Sequence, residues 1–147
     1  MEELVGAIAL PDKTMVRGRG RRQAVPSGPL PEYGLCLGRY SRRRQPAWPA
    51  NWIEWPDFRL PKDGTAAVRL ITKGYELARS GRRVEVSCGG GNGRTGTVIA
   101  CMAVLAGHPA DDAVAWTRAH YRRHAVETRG QRRWISWFAE SVECPGT

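Results

Sequence analysis

The segment Cys88-Gly89-Gly90-Gly91-Asn92-Gly93-Arg94-Thr95-Gly96-Thr97 constrains this chain more than any other. Four of the five residues between the cysteine and the arginine are glycine, and a helix-forming run, Val98 to Leu105, follows. A backbone this free of side chains can curl so that successive N–H groups point inward. At a helix N-terminus such a nest favours a dianion. Arg94 adds a planar fork able to hold two oxygens at once. Helix N-termini and nearby cations also favour the thiolate form of a cysteine. One loop therefore supplies a nucleophile, Cys88, and an oxyanion cradle built from Gly89, Gly90, Gly91, Asn92, Gly93 and Arg94. That combination suits attack on phosphorus.

The surrounding pattern indicates where the loop sits. Val84 and Val86 mark a short buried strand over Arg83–Ser87, which delivers Cys88 at its carboxyl end, where open α/β sheets place their ligand sites. Thr95–Ala106 reads as a helix apolar almost all round and hence central. Asp63 and Thr65 offer N-caps to a helix over Ala66–Arg79, whose apolar residues recur at a helical period until Gly81. Pro109 with Asp111 and Asp112 opens a third helix running to about Tyr121. A last helix spans Gly130–Ser141, with Trp134, Trp137 and Phe138 expected to face the core. Tyr33–Tyr40 and Trp52–Trp55 read as two earlier strands. The expected class is α/β, a central, mostly parallel twisted sheet flanked by helices. Residues 1–31, with Arg17, Arg19, Arg21 and Arg22 among glycines and prolines, read as an irregular basic lead-in, leaving a single domain over 32–147.

Three motifs in order, covering about residues 52 to 138, carry a resemblance. Cys88 through Thr95 resembles the signature of the cysteine-dependent protein tyrosine phosphatases. Trp55-Pro56-Asp57-Phe58-Arg59-Leu60-Pro61 is similar to that family's mobile acid-bearing loop. Ala125-Val126-Glu127-Thr128-Arg129-Gly130-Gln131 is similar to the segment before the last helix in its compact dual-specificity branch. The resemblance implies that Cys88 attacks phosphorus to form a cysteinyl-phosphate and that Arg94 clamps the transferring group. It implies further that Asp57 is the general acid, that the Thr95 hydroxyl bonds the sulfur, and that Gln131 positions the hydrolytic water. Asp57 also reads as a turn residue after proline, Thr95 as a helix N-cap, and Gln131 as a solvent-facing helix residue. One departure stands out: the family usually has histidine before the cysteine, and here the position is Ser87, which cannot contribute a charge.

Composition narrows the remainder. At 147 residues, 41% hydrophobic and 25% charged, the chain reads as an ordinary globular domain. The net charge of +9 raises encounter rates with acidic partners. It suits phosphorylated substrates without selecting among them, and nothing beyond it points to nucleic acid. Cys36, Cys101 and Cys144 read as buried apolar side chains, and no cysteine spacing suggests a metal. No cofactor is expected. The start of the chain does not resemble a secretory signal, no apolar run could span a membrane, and a reducing cytoplasm is the expected setting. Trp48, Trp52 and Trp55 read as core packing and loop anchoring, and His108, His120 and His124 carry no assigned chemistry. The expected function is a metal-independent protein tyrosine or dual-specificity phosphatase. The alternatives are the same chemistry on a small metabolite, nucleotide or RNA 5′ end, and a non-catalytic phosphate-binding module.

Overall fold

The computed structural model describes residues 2–143. Five strands form one sheet: β1 (Ile8–Ala9), β2 (Met15–Gly20), β3 (Tyr33–Leu37), β4 (Ala50–Ile53) and β5 (Val84–Cys88). Their order is β1-β2-β5-β3-β4, with β1 antiparallel to β2 and every other pairing parallel. Four helices accompany them: α1 (Gly64–Arg79), α2 (Gly93–Leu105), α3 (Ala113–His120) and α4 (Arg129–Glu143). The expected α/β class stands, with strand ends shifted by a few residues.

Central β5 is buried at every position, as a strand covered on both faces must be. Helix α2 is buried from Gly93 to Ala103 and forms the middle of the core with Ile71 of α1 and Phe138 of α4. Asp63 caps α1 by accepting the Ala66 N–H at 3.0 Å. Cys36 and Cys101 are buried free thiols, and burial pushes the Cys101 thiol well up. Cys144 lies outside the described residues. No helix among the described residues is long and apolar enough to cross a membrane.

Two expectations are corrected. Trp137 is 42% exposed and does not face the core; it covers Gly64 at the start of α1 instead. The supposed irregular lead-in contains β1 and β2, and β2 pairs with β5 at the centre of the sheet. The sequence of β2 is polar because Arg17 and Arg19 point at a buried carboxylate. Arg17 Nε and Arg19 Nε donate to Glu85 Oε2 at 2.8 and 3.0 Å. The counter-ion lies on β5, far along the chain, so local composition disguises a central strand as a loop.

Candidate active site

The carboxyl end of β5 and the N-terminus of α2 are joined by the glycine loop, with Asn92 as the residue before the helix. The Cys88 thiol is 2% exposed and lies at the base of a cavity of about 360 Å³. Its Sγ accepts the Gly91 N–H at 3.2 Å and the Thr95 hydroxyl at 2.9 Å. Thr95 is thus inside the helix and bonded to sulfur, not at the N-cap.

Each loop carbonyl is held from outside. The Arg21 N–H donates to Cys88 O at 2.7 Å, and the Arg22 N–H to Gly89 O at 3.3 Å. Arg122 Nη1 donates to Gly90 O at 3.0 Å and the Tyr121 hydroxyl to Gly91 O at 2.6 Å. Asn92 O accepts from Gly96 N at 2.9 Å. With the carbonyls turned outward, the amides of Gly89, Gly90, Asn92 and Gly93 have no acceptor among the described residues. Gly91 has φ of 79°, the left-handed conformation that admits glycine without strain. This arrangement is an anion nest.

Two glycines of β2 make room for the loop and its support. A Cβ on Gly18 would stand 2.5 Å from the Tyr121 ring, and one on Gly20 would stand 2.7 Å from Gly90 O. Between and beyond them, the arginines alternate in role. Arg21 Nη1 donates to Ser87 O at 2.8 Å and approaches Ser87 Oγ at 3.4 Å, while Nη2 donates to Leu37 O at 2.8 Å. Its guanidinium also lies over the Trp52 ring, 5.1 Å from the centroid. Ser87 supplies no charge, yet the cation immediately after β2 occupies the space beside it.

Arg94 Nη1 donates to Trp55 O at 2.9 Å, which fixes the guanidinium plane. Its Nε is buried without a hydrogen-bond partner among the described residues, 3.5 Å from Asp57 Oδ1. Nη1 is thus engaged by the backbone, while Nε faces the Asp57 carboxylate. Asp57 follows Trp55 and Pro56, in a turn closed by Arg59 N to Pro56 O at 3.1 Å and by Trp55 Nε1 to Arg59 O at 2.7 Å. Buried Trp55 and Trp48 match the packing expected of them.

Gln131 is placed differently. It is fully buried, and its Oε1 accepts the N–H groups of Glu127 and Thr128 at 2.9 and 3.3 Å, while Thr128 Oγ1 accepts Gln131 N–H at 3.0 Å. This is a capping box at the start of α4. The spacing Thr128-x-x-Gln131 signals it in the sequence, and Gln131 lines neither cavity at the loop. The residues that sequence reasoning missed are Arg21, Arg22, Tyr121 and Arg122, and none of them falls inside a motif. No cluster of histidine, cysteine and carboxylate side chains able to hold a metal occurs among the described residues.

Comparison with known proteins agrees with this geometry. Residues 59–140 match the family described as "Swiss Army Knife protein, DSP-PTPase phosphatase domain". The match begins two residues after Asp57. An uncharacterized protein of Methanocaldococcus jannaschii is 45% identical over 89 residues, 59% of this chain and 57% of that one. Protein-tyrosine-phosphatase PTP1 of Arabidopsis thaliana is 34% identical over 80 residues, 52% of this chain and 24% of that one. The chain thus spans about half or less of the curated relatives it matches. The crystal structure of Tk-PTP in its active form superposes with a TM-score of 0.64 at 25% identity, covering 75% of this chain and 79% of that one.

Proposed function

Because the chain belongs to the dual-specificity (DSP-PTPase) branch of the protein tyrosine phosphatases, we propose that it is a metal-independent phosphomonoesterase working through a cysteinyl-phosphate intermediate. The observation that carries this reading is the Cys88 sulfur, held by the Gly91 amide and the Thr95 hydroxyl in a cavity lined by the glycine loop and Arg94. In the first step the Cys88 thiolate attacks phosphorus. The P–S bond forms, the ester P–O bond breaks, and the leaving oxygen takes a proton from Asp57. Charge on the equatorial oxygens is met by the loop amides and Arg94. In the second step water attacks phosphorus and gives its proton to the Asp57 carboxylate. The P–S bond breaks, inorganic phosphate leaves, and Thr95 stabilises the departing thiolate. Gln131 contributes by fixing the start of α4.

Phosphotyrosine or phosphoserine and phosphothreonine of proteins, and small phosphorylated molecules or nucleotide ends, all fit this chemistry. An arginine-lined cavity beside the cradle favours the small-molecule class. Turnover of para-nitrophenyl phosphate with EDTA present tests the reading. Activity in wild type, its loss in Cys88→Ser and inhibition by vanadate are expected. Substantial activity in Cys88→Ser overturns the covalent route, and an inactive wild type that still binds phosphate returns the non-catalytic module.

A further inference from the structure

A second cavity, of about 920 Å³, adjoins the cradle and shares Arg22, Gln23, Asp57, Gly89 and Arg94 with it. Its polar lining is dominated by arginine. Glu85 is held by Arg17 and Arg19, and Asp57 faces Arg94, so no lining carboxylate remains for the others. Arg22, Arg39 and Arg44 line the cavity, and their side chains have no acidic partner among the described residues.

The cations are close together. A Cβ on Gly38 would stand 3.0 Å from Arg21 Nη2 and 3.1 Å from Arg94 Nη1. One on Gly89 would stand 3.0 Å from Arg22 Nη2 and 3.5 Å from Arg94 Nη2. Arg21 is held below its ordinary range, first by burial and further by the charges of Arg94 and Arg44. Like charges gathered at a cleft focus potential for an anion. Trp48, Ala24 and Val25 add apolar wall, and the volume lies within the few hundred to about 1,000 Å³ typical of small-ligand sites.

We propose that this cavity is a second phosphate subsite, so that the substrate is a small organic molecule carrying another phosphate besides the scissile one. Arg22 and Arg44 receive the second group, and the tryptophan wall receives the body between the two. The proposal rests on the phosphatase reading above. A phosphate is favoured over a carboxylate because three uncompensated guanidinium groups match a dianion with several acceptor oxygens.

The test is competition against para-nitrophenyl phosphate turnover, using matched pairs: adenosine 5′-monophosphate with adenosine 3′,5′-bisphosphate, and fructose 6-phosphate with fructose 1,6-bisphosphate. A third pair is a phosphotyrosine peptide with and without flanking aspartates. In wild type, the bisphosphate of at least one small-molecule pair should inhibit tenfold or more better than its monophosphate. Arg22→Gln and Arg44→Gln should each cut that ratio at least threefold, while Arg133→Gln, a control for net charge on α4, should not. The ratio does not depend on how much enzyme is folded. A ratio near one in both pairs, or one untouched by Arg44→Gln, overturns the subsite. An advantage for the acidic peptide alone, lost in Arg44→Gln, overturns the small-molecule assignment in favour of a phosphopeptide. Absence of para-nitrophenyl phosphate turnover in wild type would instead defeat the underlying phosphatase reading.

Discussion

Arg21 Nη1 sits 2.8 Å from the carbonyl oxygen of Ser87, the residue immediately before the candidate nucleophile. The same guanidinium reaches Leu37 O, so one side chain joins the ends of β5 and β3 beneath the loop. Charged hydrogen bonds of this kind contribute about 1.5–3 kcal/mol each. Arg21→Met should therefore lower kcat/KM for para-nitrophenyl phosphate at least tenfold, about 1.4 kcal/mol of barrier. Arg21→Lys should recover part of it, since a lysine keeps the charge but not both bonds. Steady-state kinetics on protein shown folded by circular dichroism decides; a Met variant with wild-type kcat/KM removes Arg21 from the site.

Asp57 lies on an exposed turn facing Arg94, and it is the group we propose as general acid. Asp57→Asn should lower kcat by roughly 10²–10⁴-fold for alkyl phosphates, the worth of a positioned proton donor. The loss should shrink as the leaving group becomes more acidic and needs less protonation. A Brønsted series across phenyl phosphates measures this. An equal loss for every leaving group would move the acid elsewhere.

The buried Arg17–Glu85–Arg19 group predicts a stability effect with no catalytic contact. Glu85→Gln leaves two guanidinium groups without their counter-ion inside the sheet, and breaking a buried pair of this type costs about 3–5 kcal/mol. Urea unfolding should show the midpoint falling accordingly. A shift under about 1 kcal/mol would mean that water or relaxation compensates the charges.

Alkaline pH should also weaken the fold. Burial, with an Asp12 hydrogen bond in the second case, raises Tyr33 and Tyr75 to about 12, and burial pushes Tyr121 higher still. Each phenol is then held neutral in the folded state while the unfolded chain ionises near pH 10. Stability is complete below that value and is lost as pH rises through 12. A Tm constant from pH 9 to 12 would contradict these assignments.

What the sequence made legible was local. The Cys88–Thr95 loop, the strand before it and the apolar helix after it lie within one stretch of chain, and periodicity exposes them directly. Asp57 stands out as a candidate because its flanking tryptophan and prolines are distinctive. What stayed hidden was non-local. Arg21, Tyr121 and Arg122 support the loop from other elements, and their sequence surroundings resemble any basic surface. Strand β2 was read as irregular because an inward arginine and an outward one look alike until Glu85 is seen between them. Gln131 shows the converse: the Thr128-x-x-Gln131 spacing is a local helix-start signal, and the capping box it forms buries a side chain that also reads as solvent-facing.

The approach of the loop to β2 at Gly18 and Gly20 also reverses the usual expectation about which residues tolerate change. Around most reaction centres the sensitive positions carry functional groups, and positions without a side chain are neutral ground. Here a single methyl at either glycine would collide with Tyr121 or with the loop backbone itself. A strong constraint on sequence drift therefore falls on two places where nothing projects. Empty space on that strand is as much a part of the loop's architecture as the groups that line it.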